Sequence, residues 1–112
     1  MFSIRFAPKA LSDLENIKCY VSEDLLNPQA AADLMALIFE KIRILGSFPL
    51  RGAQLRSDIS VLKGYRFLRV RNYLVFYRTE KDCVSIIRVL YARRDYLVLL
   101  APDANMKDSQ RS

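Results

Sequence analysis

Apolar and polar positions along this chain alternate with two different periods, and the change of period divides it. Between Gly64 and Tyr96 the period is that of a pleated strand. In Tyr65 to Val70, Tyr65, Phe67 and Arg69 point one way and Arg66, Leu68 and Val70 the other. Tyr73 to Arg78 and Cys83 to Tyr91 are rich in β-branched and aromatic residues, which fit a pleated surface. Arg71-Asn72 predicts a two-residue hairpin connection, with Asn as the residue that tolerates left-handed backbone. Thr79 to Asp82 reads as a polar four-residue loop. These runs predict a three-stranded antiparallel meander.

Upstream the period lengthens to that of a helix. Phe2 to Phe6 alternates and predicts a short first strand, which Ala7-Pro8 ends. Pro8 suits the first turn of a helix, and Ala10, Leu14, Ile17 and Val21 then form one apolar stripe. Asn27-Pro28 predicts a second helix start, with Asn27 as cap. Ala30 to Leu45 is dense in helix formers, Gly46 predicts a left-handed stop, and Pro49 lies beyond. Ser47 to Lys63 reads as a loop with one helical turn near Ile59. Asp95 to Leu100 predicts a short helix or an edge strand. The fold class is therefore α+β in the order β-α-α-β-β-β, an antiparallel sheet with a helical hairpin packed on one face. Residues 1–100 are expected to form one domain, and residues 101–112 a polar, flexible tail.

Composition sharpens this picture in one respect. The chain carries a net +6, and the charge is unevenly placed. From Arg51 to Tyr96 there are eleven Lys/Arg against four acids, whereas residues 1–50 hold five basic and six acidic side chains. The sheet half is the basic half, which suggests a polyanionic or acidic partner. At 112 residues and 52% hydrophobic composition the chain can bury a core without staples. No apolar run approaches the ~18 residues of a membrane span, and the N-terminus lacks a signal-peptide layout. Cys19 and Cys83 stand alone and predict buried thiols in a reducing cytoplasm.

The absence of histidine removes the commonest general base and metal ligand. Without clustered cysteines a zinc site is not expected, and no cofactor is implied. Gly46, Gly52 and Gly64 are the only glycines, so there is no phosphate-cradling loop. Asp13, Glu15, Glu23 and Asp24 read as solvated helix-surface acids. Arg66, Arg69 and Arg78, with Arg93 and Arg94 after the last strand, are expected to cluster on the sheet face opposite the helices. Tyr65, Tyr73, Tyr77, Tyr91 and Tyr96 lie among them, as rings that stack on bases do. A solvated face with tyrosines finishing the core is the simpler reading for any one of these residues. A metal-independent ribonuclease is also open, since a 2′-hydroxyl is an internal nucleophile: Lys63 or Tyr96 would move protons and the arginines would hold charge.

Over residues 2 to 100 the chain resembles the RelE/ParE superfamily of bacterial type II toxins. The likeness is carried by the opening FSIRFAPKALSDLENI, by Pro49, by Tyr65-Arg66 and Asn72-Tyr73-Leu74-Val75-Phe76-Tyr77, and by Arg88-Val89-Leu90 followed by Arg93-Arg94-Asp95-Tyr96. The resemblance implies a growth-inhibiting toxin neutralised by a cognate antitoxin encoded beside it. It leaves two targets. RelE-like members cut mRNA on the ribosome, and ParE-like members poison DNA gyrase. In RelE-like sequences an Arg often follows the Tyr of the third strand and contacts the scissile phosphate; here that position is Leu74. In the nuclease reading Arg66, Arg93, Arg94 and Tyr96 would be catalytic. In either reading Lys63, Arg66, Arg69, Arg78, Arg93 and Arg94 would contact the target. Leu74, the missing histidine and the run RVLYARRDY favour the ParE-like branch.

Overall fold

Local signals set the ends of the helices. Pro8 opens α1 (Pro8–Cys19), and Asn27 opens α2 (Pro28–Ile44) by accepting the Ala30 N–H on its side-chain oxygen at 3.1 Å. Between them the backbone widens into a π-helical turn over Tyr20–Asp24, and Leu26 reverses it in the left-handed region at φ 52°. α2 ends differently from expectation. Gly46 is not left-handed; successive i→i+3 bonds from Leu45, Gly46 and Ser47 tighten the last turn instead. Glycine suits the close approach there: a Cβ would stand 3.0 Å from the Phe2 carbonyl oxygen, and the Phe2 N–H donates to the Gly46 carbonyl at 2.8 Å.

The computed structural model of the protein describes residues 1–55, 64–93 and 99–100. Its strands are β1 (Ser3–Phe6), β2 (Ala53–Gln54), β3 (Arg66–Val70), β4 (Tyr73–Glu80) and β5 (Cys83–Tyr91), arranged in the order β1-β5-β4-β3-β2. The α+β architecture and the antiparallel meander stand as expected. The sheet itself is mixed, because β1 runs parallel to β5, and the two-residue β2 extends its far edge. The expected helical turn near Ile59, residues 95–98 and the tail lie outside the described residues; Leu99 and Leu100 are helical.

Both hairpin turns have two residues. The left-handed position of the first is Arg71 (φ 55°) rather than Asn72. The second is Lys81-Asp82, with Lys81 at φ 49°, so Thr79 and Glu80 belong to β4, paired with Val84 and Cys83. Both cysteines are free and half-buried rather than buried. No helix among the described residues is long and apolar enough to cross a membrane.

The main core lies between helices and sheet. Ala10, Leu14 and Ile17 of α1 and Ile38 and Ile42 of α2 meet Val75, Tyr77, Val84, Ile86 and Val89. The opposite sheet face is not the basic surface that alternation suggested. Its centre is a second apolar cluster of Leu74, Phe76, Leu90 and Leu100, with Phe67 and Leu99 packed against it.

Candidate functional site

Cross-strand register separates the arginines that the sequence grouped. Arg69 pairs with Leu74 and Arg78 with Ser85, both on the outer face, near opposite ends of the strands. Arg66 pairs with the buried Tyr77 on the helix side. Each makes a contact of its own. Arg66 donates from Nη1 to the Gly52 carbonyl at 2.7 Å and more weakly to that of Leu50 at 3.4 Å. Arg69 Nε donates to the Arg71 carbonyl at 2.8 Å. Arg78 is paired with Glu80 at 2.5 Å and lies 6.0 Å from the centroid of the Tyr65 ring. Arg93 is exposed just past β5, whereas Lys63, Arg94 and Tyr96 lie outside the described residues. The outer face is thus an apolar centre bounded by Arg69 at one end and the Arg78–Tyr65 pair at the other.

A groove of about 700 Å³ opens between the end of α1, the π-helical turn and the Arg71-Asn72 end of the sheet. Tyr20, Leu25, Tyr73 and Tyr91 line it, with Asn16 and Asn72. Tyr73 and Tyr91 meet edge to face, with ring centroids 5.8 Å apart. Tyr20 and Leu25 are half exposed at its rim.

Asp13 and Arg88 also line the groove, and the sequence reading misplaced Asp13. It is not a solvated surface acid but, among the described residues, the one buried charged side chain. Its carboxylate accepts from Arg88 Nε at 2.7 Å, from Arg88 Nη2 at 2.9 Å and from the Val89 N–H at 3.0 Å. The cause is topological. β1 covers the edge of β5 only as far as Ile86, where the chain leaves for α1. The Val89 N–H then has no strand beside it, and the Asp13 carboxylate takes the strand's place. A β-bulge, where the pairing slips between Phe76 and Tyr77, turns Val89 into the core and leaves Arg88 to reach Asp13. The signal was present in the sequence, since Asp13 falls between Ala10 and Ile17 at the spacing of the apolar stripe.

Two phenols have altered acidity. Burial pushes Tyr77 up from the ordinary value of 10.0, partly offset by the Gly52 N–H it accepts at 2.8 Å and by the charge of Arg66. Burial also pushes Tyr73 up, with the neighbouring Tyr20 and Tyr91 adding to it. Because the folded values lie above the unfolded one, the protonated phenols stabilise the fold below about pH 10, and that contribution is lost as pH rises through the folded values. In an ultraviolet titration, Tyr73→Phe and Tyr77→Phe should each remove a phenol that ionises above 10.0. Loss of a transition at or below that value in either variant would contradict the burial described here.

Among the described residues no group of His, Cys, Asp or Glu stands close enough to hold a metal ion. The Asp13 carboxylate accepts from three donors, two on Oδ2 and one on Oδ1, which fix its position at the groove wall. The described surface presents a tyrosine-lined groove, and Arg69 and Arg78 at either end of a buried apolar cluster.

Comparison with known proteins agrees with this architecture. The family model described as the ParE toxin of the type II toxin–antitoxin system parDE matches residues 4–96. Among solved structures, the chromosomal ParDE system of P. aeruginosa aligns with a TM-score of 0.69 at 23% identity, covering 83% of this chain and 98% of that one. The toxin–antitoxin complex RelBE2 from Mycobacterium tuberculosis aligns at 0.60 and 26% identity, covering 80% and 96%. A YoeB/ParE toxin from Agrobacterium tumefaciens aligns at 0.57 and 18%, covering 80% and 98%. No curated protein sequence matches the chain. The chain belongs to the ParE toxin family of type II toxin–antitoxin systems.

Proposed function

We propose that this toxin arrests growth by binding and poisoning DNA gyrase in the cytoplasm, without cutting RNA, and that a cognate antitoxin encoded beside it holds it silent. The observation that carries the choice of target is Leu74. The resemblance places a phosphate-contacting arginine at that position in the nuclease branch. Here the side chain is 8% exposed and packs with Phe76, Leu90 and Leu100. A residue committed to a hydrophobic cluster offers no donor to a phosphate in flight. Arg66, a second member of the nuclease clamp, is already engaged by the Gly52 carbonyl. The antitoxin reading is supported by relatives solved as toxin–antitoxin complexes, RelBE2 among them.

Inducing the toxin alone and mapping mRNA ends by primer extension separates the two targets. Growth arrest with intact transcripts, and with gyrase trapped on cleaved DNA, is the expected result. Tyr96→Phe should leave the arrest intact, because a binding poison needs no proton donor. New 5′ ends within translated codons, lost with Tyr96→Phe, would overturn the gyrase reading in favour of a ribosome-dependent nuclease.

A further inference from the structure

The loop after α2 is held more firmly than a connection requires, and it displays apolar side chains. Ser47 and Phe48 both donate their N–H groups to Ile44, at 3.1 and 3.0 Å. Arg51 donates to the Phe48 carbonyl at 3.1 Å, closing a β-turn with Pro49 at its second position. Gly52 is then fixed from both sides, its N–H by the Tyr77 hydroxyl at 2.8 Å and its carbonyl by Arg66 at 2.7 Å. On this fixed turn Phe48 is 62% and Leu50 64% exposed, around a shallow hollow of about 410 Å³ lined by residues 47–51. The charge there has one sign. From Lys41 to Leu55 the charged residues are Lys41, Arg43 and Arg51, with no acid among them.

We propose that the turn Phe48–Arg51 is a docking site for an extended acidic segment of the antitoxin, whose apolar side chains seat on Phe48 and Leu50 and whose carboxylates face Arg51. This rests on the antitoxin reading above and assigns it a surface. A preformed turn loses little entropy on binding, so the contact area of Phe48 and Leu50 converts efficiently into affinity. The basic surroundings favour an acidic partner and disfavour a basic one.

The test is calorimetric titration of the purified full chain with the purified full-length antitoxin encoded beside it, at low and high salt. Phe48→Ser/Leu50→Ser should weaken binding by about tenfold or more, the loss expected for two apolar side chains left without burial. Arg51→Glu should weaken it comparably and flatten its salt dependence. Thermal melts matching the unsubstituted protein show that the folds survive, which is the expected result for exposed side chains. Unchanged affinity in both variants would overturn the docking site while leaving the antitoxin reading standing. No binding by the unsubstituted protein would remove both. Antitoxin affinity preserved alongside lost growth arrest would overturn the proposal in favour of the cellular target. A dimer of the free protein dissolved by the same substitutions would overturn it in favour of self-association.

Discussion

Asp13→Ala should cost this protein about 3–5 kcal/mol, the range found when one member of a buried ion pair is removed. The substitution leaves the Arg88 guanidinium buried beside α1 with no carboxylate, and the Val89 N–H with no acceptor at the point where β1 has ended. Both groups lost most of their water on folding, and the groove beside them returns only part of it. Since a domain of this size is stable by roughly 5–15 kcal/mol, one change of this size brings it close to the threshold. Asp13→Asn should cost less, because an amide oxygen can still accept from Val89. Arg88→Met in the Asp13→Ala background should recover part of the loss by removing the stranded charge. Urea unfolding of the four proteins measures all of this. A midpoint for Asp13→Ala within experimental error of the unsubstituted protein would show that the pair holds nothing together. The pair also reaches the outer-face cluster, since Arg88 Nη1 donates to the Leu99 carbonyl at 3.3 Å. The Leu99–Leu100 turn should therefore exchange its amide hydrogens faster in Asp13→Ala.

What could be read from the sequence was what depends on neighbours in the chain. Asn27-Pro28 started a helix because a cap needs only the next three residues, and the Ala30 N–H bonds to Asn27 as such a cap requires. The meander was legible because alternation and two-residue turns are short-range. The parallel pairing of β1 with β5 joins residues some eighty positions apart with no turn between them, and nothing local announces it. The outer-face cluster did have a signal. Tyr73 to Tyr77 is an unbroken apolar run, which is how a strand buried on both sides reads. Alternation likewise already set Arg66 against Arg69, so their grouping as one clamp conflicted with the pattern that defined the strand. Asp13 was misjudged for the opposite reason. Its charge suggested solvent while its position on the stripe suggested the core, and position prevailed because Arg88 and Val89 were there to receive it.

The same physics predicts that Gly52→Ala will be nearly as damaging as Asp13→Ala, on the order of 3 kcal/mol. An added Cβ would stand 2.6 Å from the Phe67 carbonyl oxygen, 2.6 Å from the Tyr77 hydroxyl and 2.8 Å from a Tyr77 ring carbon. Neither neighbour can yield cheaply. Phe67 is paired on one side with Phe76 and on the other with Ala53, and Tyr77 is fully buried. The loop must therefore move, releasing the Gly52 N–H from Tyr77, the Gly52 carbonyl from Arg66 and the short β2 from β3. Gly64→Ala is the informative control. There the φ of 87° is unfavourable for alanine, yet nothing lies within 4 Å of the new Cβ, so the cost should be the backbone strain alone, about 1–2 kcal/mol. Tyr77→Phe combined with Gly52→Ala removes the hydroxyl clash but not the one with Phe67, so it should rescue little. Because Gly52→Ala displaces the turn without altering Phe48, Leu50 or Arg51, it should also weaken the antitoxin complex if that turn is the docking site. Unfolding free energies for Gly52→Ala and Gly64→Ala that coincide would mean that the loop is not locked, and that the exposure of Phe48 and Leu50 reflects looseness rather than display.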